Sequence, residues 1–450
     1  MSDQLRPYVV IVNNGSGCVF QPMDIQISYI LTAKHNLVDE DDHLNMLTRF
    51  EQNGGNWIPR EIPFEPLEIG QNYFPHPQLD IAIITVPRIH EVNSIYRSDE
   101  LNEQMNPGYN LLGYPATRRQ ANLDNKSLWF RSDAITQILG QNNNAREFTI
   151  AGNANQEEVT GQSGGPILIL QQHKAMIAGI ETNMARAFEE NMGRAEFFPL
   201  ATFDEIIAQN PDKLCELLPA HLSCFSFLME EAFDLDAGFA QDNIAGIKAF
   251  LLHKAKLVTQ SGATPHMIKK QFAKRLLIAE QKEEILQGKE IWKIWLEFIT
   301  IMQIIQEKII EDQDLEALFN TVRLLHSDSD KDWSSELTNI VYSDYLGLAD
   351  KGTVVISTRK PPASDDQYII HGNIPQIASA KKLRDREKLK INEGMIFPFD
   401  HYKFVHMDYF KGKSISRKHA EYSALDTDQE YLDKLKLEYG EIFNHQRQSN

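Results

Sequence analysis

Cysteine is scarce in this 450-residue chain: Cys18, Cys215 and Cys224 are all there is. Three thiols so spaced form neither a disulfide framework nor a zinc site built on thiolates, so a reducing compartment is expected. No stretch approaches the ~18 uncharged apolar residues of a membrane span. The opening Met1-Ser2-Asp3-Gln4-Leu5-Arg6-Pro7 lacks the basic start and apolar run of a secretory signal. These absences together predict a cytoplasmic protein. Positive charge is also in deficit, with 45 Lys plus Arg against 63 Asp plus Glu, a net of −18. Such a field repels nucleic-acid backbones and anionic membranes wherever no basic patch overrides it. Neither a general nucleic-acid binder nor a membrane protein is expected.

What is present is globular: 42% hydrophobic and 24% charged residues, enough for sizeable cores. Single cores stop growing near ~250–300 residues, so two or three domains are expected. From Tyr8 to about Phe203, short β-rich runs alternate with Gly, Pro, Asn and Asp. They are Tyr8–Val12, Ser28–Thr32, Asp80–Val86, Tyr109–Gly113, Glu147–Ala151, Pro166–Leu170 and Ala175–Ile180. That spacing predicts an all-β barrel or sandwich. After Asn210-Pro211-Asp212 the period becomes helical. Between Lys289 and Asp312, Ile291, Ile294, Trp295, Phe298, Met302, Ile305 and Ile309 recur every three or four residues, with Lys293, Glu297 and Glu307 between them. Further helices are predicted over Leu214–Phe233, Asp242–Thr259, Thr264–Leu286 and Asp314–Leu325. The end of the chain mixes strand-like runs (Thr353–Ser357, Gln367–His371, Phe404–Met407) with a helix near Asp428–Phe443. The expected division is 1–209 (β), 210–330 (helical) and 331–450 (mixed α+β), without internal repeats. Residues 1–209 hold 26 acidic and 14 basic residues, so most of the negative charge lies there.

Four segments of the β-rich part carry chemistry. In Thr160-Gly161-Gln162-Ser163-Gly164-Gly165-Pro166, glycines around a serine let backbone N–H groups approach a substrate oxygen, and Gly161 and Ser163 amides would form an oxyanion hole. A serine needs a base, and His35, in Leu31-Thr32-Ala33-Lys34-His35-Asn36, titrates near the working pH. Asp80, at the entrance to the apolar run Ile81–Val86, can accept the Nδ1–H of His35. Each piece alone is ordinary: a histidine at a strand end, an aspartate at a turn, a glycine loop. In the order His, Asp, Ser with β-barrel spacing they form a nucleophile, base and orienting carboxylate.

With these residues the first part of the chain, roughly 8–207, resembles the trypsin-like (chymotrypsin-fold) serine peptidases. Gly15-Ser16-Gly17, Leu31-Thr32-Ala33-Lys34-His35, Leu79-Asp80-Ile81-Ala82 and Gly161-Gln162-Ser163-Gly164-Gly165-Pro166 carry the resemblance, supported by Leu112-Gly113-Tyr114-Pro115 and by Ile177-Ala178-Gly179-Ile180-Glu181-Thr182-Asn183. It implies two six-stranded barrels with the triad in the cleft between them. Asn36 stands where secreted animal members usually carry a cysteine. Gln162 replaces the aspartate that pairs with a newly freed N-terminus in zymogen-activated relatives, so control by N-terminal clipping is not implied. The resemblance also implies a specificity pocket formed by Glu157, Glu158, Glu181 and Thr182, where carboxylates would favour Lys or Arg; solvated loop charges are the alternative for Glu157 and Glu158.

Other candidates carry less. His43, His76 and His90 are not spaced from Cys or Glu as a metal set requires, and Asp39, Glu40, Asp41 and Asp42 read as a solvated loop. No cofactor motif or metal site is found. Lys381–Lys418 holds eleven basic and five acidic residues with interleaved aromatics. It could grip nucleic acid, a phosphorylated ligand or an acidic partner, or be an ordinary helix from Ile377 to Ile391 with a solvated face. The expected function is a cytosolic serine endopeptidase acting on protein substrates, regulated by a protein partner through residues 210–450. The architecture resembles effectors of prokaryotic defence systems. The alternatives are a peptide-binding scaffold without catalysis and a housekeeping quality-control protease.

Overall fold

The computed structural model describes residues 2–37, 44–98, 108–142, 144–151, 160–171, 174–184, 194–331, 333–362, 368–370 and 398–443. The chain forms two compact units, Met1–Ala220 and His221–Asn450.

The first unit is built on two antiparallel sheets. Strands β1 (Val9–Val12), β2 (Gly15–Phe20), β3 (Ile27–Thr32), β4 (Leu47–Asn53), β5 (Asn56–Glu61), β6 (Tyr73–Pro75) and β7 (Ala82–Pro87) form the ladder β5-β4-β1-β2-β3-β7-β6. Strand β1 is a run of Val and Ile because all four of its residues are buried, as β-branched side chains suit a strand covered on both faces. The other sheet comprises β8 (Tyr96–Arg97), β9 (Asn110–Gly113), β10 (Arg131–Asn142), β11 (Ala145–Ile150), β12 (Pro166–Gln171), β13 (Lys174–Met184) and β14 (Arg194–Pro199). Its order is β12-β9-β10-β11-β14-β13-β8, and an added β12–β13 pairing closes six of these strands into a barrel. The short β8 lies parallel to β13 outside that ring. Among the described residues the first sheet runs as a seven-stranded ladder from β5 to β6, and with the closed second sheet it makes the β-barrel region expected of the first part of the chain. Every expected β-rich run lies on a strand. Strand β10 was missed because it opens on Arg131-Ser132-Asp133 and alternates buried and exposed positions, so no apolar run marks it.

The second unit combines helices with a small sheet. Strands β15 (Val322–His326), β16 (Thr353–Ser357), β17 (Ile369–Ile370) and β18 (Lys403–His406) take the order β15-β16-β18-β17. The first three are parallel and β17 is antiparallel to β18. The pairing of β15 with β16 runs across residue 330, so one sheet draws on both the stretch expected to be helical and the mixed one. Helix Lys289–Gln306 is the core of this unit, with Trp292, Trp295 and Phe298 buried. It stops before the expected Asp312, at a left-handed Glu307 (φ 52°), leaving Ile309 exposed. Glu297, expected among the charges beside its apolar stripe, is instead fully buried. Its carboxylate accepts the Phe233 N–H at 2.7 Å and the Lys411 ammonium at 2.8 Å, which is what permits a charge there.

Three other helix expectations fail for local reasons. Leu214–Phe233 gives only 3-10 turns, Ala220–Leu222 and Phe225–Glu231, because Pro219 removes a donor in mid-segment. The helix beginning in Thr264–Leu286 covers Pro265–Phe272 and breaks at Ala273, with φ of 44°. In Asp314–Leu325 the helix spans Leu315–Thr321 and the chain then becomes β15, whose five residues are all buried. A short apolar run fits either period, and here strand pairing decides. The terminal helix Asp428–Phe443 lies where expected. The proposed helix Ile377–Ile391 falls outside the described residues. No helix among the described residues is long and apolar enough to cross a membrane.

Candidate active site

His35 lies just beyond β3, in the single turn Lys34–Asn36. The β3–β7 register pairs Thr32 with Ala82, which brings this turn beside Asp80, two residues before β7. The Lys34 N–H donates to the Asp80 carbonyl at 3.3 Å. Asp80 Oδ1 accepts the His35 backbone N–H at 2.9 Å, and Oδ2 lies 2.6 Å from His35 Nδ1. An ionised carboxylate only accepts, so this contact places the imidazole proton on Nδ1 and leaves Nε2 with its lone pair.

The Asp80 loop is organised by His76, a residue without a role in the sequence reading. Buried to 4% exposure, its Nδ1 accepts the N–H groups of Gln78 and Leu79 at 3.2 and 3.0 Å. Nδ1 is therefore the acceptor nitrogen, and Nε2–H donates to Glu205 at 3.2 Å. The His76 N–H bonds the Ile81 carbonyl, and its own carbonyl accepts the Lys34 ammonium at 3.1 Å. His76 thereby ties the segment carrying Asp80 to the one carrying His35.

Ser163 sits in the loop ahead of β12. Its carbonyl accepts the Ser16 N–H and the Asn36 Nδ2–H, both at 2.8 Å. The residue next to the proposed base thus holds the proposed nucleophile's backbone. Asn36 Nδ2 also lies 3.1 Å from Thr32 Oγ1, and its side chain fills the space a Cβ on Gly15 would take, 2.0 Å from Asn36 Oδ1. The Asn36 carboxamide thus crosslinks the loops carrying His35 and Ser163. Cys18, Cys215 and Cys224 are all free thiols.

The glycines of the loop have defined work. Gly164 has φ +84°, and a Cβ there would lie 2.0 Å from the Ser16 carbonyl oxygen. Its N–H donates to the Glu181 carbonyl at 2.7 Å, while the Glu181 N–H donates to the Gly165 carbonyl at 2.9 Å. Gly161, at φ +89°, accepts the Ser16 hydroxyl on its carbonyl at 2.8 Å. Among the described residues, the Gly161 and Ser163 amides donate to no acceptor. Gln162 is fully buried and donates to Asp133 Oδ2 at 2.9 Å, with Asp133 held by Arg131 at 2.8 Å. Gln162, Asp133 and Arg131 thus form one linked group beneath the serine loop. Arg131 and Asp133 stand at i and i+2 on β10, which puts them on one face of that strand, but the strand itself was not recognised in the sequence.

The Ser163 hydroxyl donates to the Thr182 carbonyl at 2.7 Å. Among the described residues no hydrogen bond joins His35 and Ser163. Rotation about Ser163 Cα–Cβ must precede any transfer of this proton to His35 Nε2. Of the pocket candidates, Glu181 and Thr182 lie on β13 behind Ser163, while Glu157 and Glu158 fall outside the described residues. Glu181 is 5% exposed, and its Oε2 has no partner among the described residues. Burial, and secondarily the charge of Asp80, pushes its carboxyl up to about 8. At neutral pH the group is mostly the neutral acid, able to donate a hydrogen bond. Among the described residues no three His, Cys, Asp or Glu side chains cluster as metal ligands.

Residues 197–416 match the family CTD4, C-terminal domain 4 of the ABC-three component (ABC-3C) systems. Among solved structures, the chain is similar to the inactive form of the Rv3671c protease, at 16% identity and a TM-score of 0.30, over 46% of this chain and 90% of that one. It is also similar to a serine endoprotease from Yersinia pestis, at 19% identity and a TM-score of 0.31, over 47% and 66% of the two chains. An inactive mutant of Rv3671c from Mycobacterium tuberculosis H37Rv gives 15% identity and a TM-score of 0.30, over 48% and 91%. No curated protein matches.

Proposed function

We propose that the chain is a serine endopeptidase in which Ser163 attacks the scissile carbonyl. His35 Nε2 takes the hydroxyl proton and returns it to the leaving amine, while Asp80 holds the Nδ1–H tautomer and stabilises the imidazolium. The Gly161 and Ser163 amides receive the oxyanion. The observation that carries this reading is the two-point attachment of His35 to Asp80, at 2.9 and 2.6 Å, beside a serine loop held by Asn36. A peptide-binding module needs no such fixing of an imidazole tautomer.

The pocket behind Ser163 would be lined by Glu181 and Thr182 and, as the resemblance implies, by Glu157 at the pocket-floor position with Glu158 beside it, and would take Lys or Arg before the cut. A basic side chain would ionise Glu181 and supply the partner its Oε2 lacks. In the resting state the hydroxyl is committed to Thr182, which supports a regulated enzyme over one constantly turning over. The match to a C-terminal domain of a multi-component system supports control by a protein partner through residues 210–450, and a cytoplasmic effector role, as in a defence system.

The test is cleavage of a peptide library and of unfolded protein, read by mass spectrometry, for the wild type, Ser163→Ala and Asp80→Asn. Cuts after Lys or Arg that vanish in Ser163→Ala are expected. Cuts retained in Ser163→Ala would overturn the assignment of the nucleophile, and cuts without basic enrichment would overturn the acidic pocket.

A further inference from the structure

We infer that His76 is a positioning residue of the proposed triad: its ring holds the hairpin tip that carries Asp80 and, through Asp80, keeps His35 in the productive tautomer. The inference rests on the peptidase reading of His35, Asp80 and Ser163.

The hairpin explains how one ring can do this. Strands β6 and β7 pair Pro75 with Ala82, and the His76 N–H closes the ladder on the Ile81 carbonyl at 2.9 Å. Pro77, Gln78, Leu79 and Asp80 remain as the tip. Pro75 and Pro77 lock their own φ, and Pro77 disfavours helical backbone at His76. The His76 ring folds back on the tip, where its Nδ1 accepts the Gln78 and Leu79 N–H groups at 3.2 and 3.0 Å. An Asn or Asp side chain does the same in an Asx turn.

This acceptance leaves the ring proton on Nε2, which donates to Glu205 at 3.2 Å. Glu205 stands on the helix Leu200–Gln209, which buries Phe203, Ile206 and Ile207 in the core of the first unit. On the same helix Asp204 takes Arg97 bidentately, both bonds at 2.8 Å. At 53% exposure Glu205 is a weak tether by itself; it adds to a ring orientation that the two amides already set. The helix lies within residues 197–416, so the stretch that matches CTD4 supplies one support of the Asp80 tip.

The tip reaches His35 by two routes. Asp80 accepts the backbone N–H and the Nδ1–H of His35 at 2.9 and 2.6 Å. Lys34 gives its ammonium to the His76 carbonyl at 3.1 Å and its N–H to the Asp80 carbonyl at 3.3 Å. Without His76 Nδ1 the Gln78 and Leu79 N–H groups turn to solvent, the tip loses its internal bonds, and the carboxylate moves off the imidazole. A misplacement of about 1 Å at a catalytic group costs up to ~10²-fold in rate.

The test compares wild type with His76→Leu and His76→Asn in the full chain. Leucine removes the acceptor, whereas asparagine sets Oδ1 near the place of Nδ1, keeping the two amide bonds and giving up Glu205. On a peptide that wild type cuts and Ser163→Ala does not, His76→Leu should lower kcat ~10–100-fold with KM within about twofold, and His76→Asn should recover most of that loss. Nitrogen-15 spectra of the imidazoles at about pH 8.5, assigned with His35→Ala, read which ring nitrogen of His35 carries the proton. It is Nδ1 in wild type and His76→Asn, and both nitrogens share it in His76→Leu. The spectra need no turnover, so a wild type that cuts nothing counts against the peptidase reading alone and leaves the positioning to the His35 tautomer. An unchanged kcat or an unchanged His35 tautomer in folded His76→Leu would overturn the positioning role, as would a loss in His76→Asn equal to that in His76→Leu. If His76→Leu does not fold, His76→Gln, whose longer amide reaches towards Glu205 and away from the two N–H groups, is read in its place.

Discussion

Replacing Glu181 by Gln probes the buried carboxyl behind Ser163 without changing its shape. The folded protein holds this group at about 8 against an ordinary 4.5. A pKa raised on folding means that the folded chain binds the proton more tightly than the unfolded one. The contribution to stability is then fully present below about 4.5, declines as pH rises, and is gone above about 8. At ~1.36 kcal/mol per unit, the whole effect is roughly 5 kcal/mol, an upper bound because buried acids relax on ionising. In wild type the first unit should therefore weaken steadily from pH 5 to pH 8.5, and Glu181→Gln should remove that part of the slope. Urea midpoints of the first unit, read in the full chain by pulsed hydrogen exchange on peptides spanning 160–184, report the difference directly. Identical slopes for wild type and variant across that range would refute a buried neutral acid at 181.

Asp80→Asn leaves the fold intact and frees the imidazole to adopt the wrong tautomer, so cleavage should fall by ~10³–10⁴-fold with little change in melting temperature. Gly164→Ala sets a Cβ against the Ser16 carbonyl at φ +84°; it should cost several kcal/mol, on the order of ~3 or more, and abolish labelling of Ser163. Asn36→Ala removes the amide from the Ser163 carbonyl and opens a void against Gly15, lowering stability by ~2 kcal/mol in denaturant titration together with a fall in kcat. In the second unit, Glu297→Ala strands the Lys411 ammonium and the Phe233 N–H, for a loss of ~3–5 kcal/mol measured as a lower unfolding midpoint.

Much of the first unit was legible because its strands are apolar runs with turn residues between them, and because His35, Asp80 and Ser163 stand in short motifs whose residue types the chemistry requires. What was not legible depends on contacts between distant segments. Asn36 and Ser16 look like loop residues until the fold sets them on the Ser163 carbonyl, and His76 reads as a loop histidine until its Nδ1 is seen to cap two backbone amides. The hydroxyl of Ser163 turning to Thr182 is a rotamer, on which residue order is silent. In the second unit Val322–Leu325 was read as the end of a helix because nothing local distinguishes it from a strand, and pairing with β16 settles the matter. Glu297 was placed among solvated charges because its partner, Lys411, lies 114 positions away.

The most direct test of the central claim is intact-mass analysis of the full chain after incubation with a fluorophosphonate, which phosphonylates a serine only where a base activates it and an oxyanion site receives the charge. One adduct per chain, mapped to Ser163 and absent from Ser163→Ala and His35→Ala, is predicted. No adduct on the wild type, or an adduct that persists in Ser163→Ala, would contradict it.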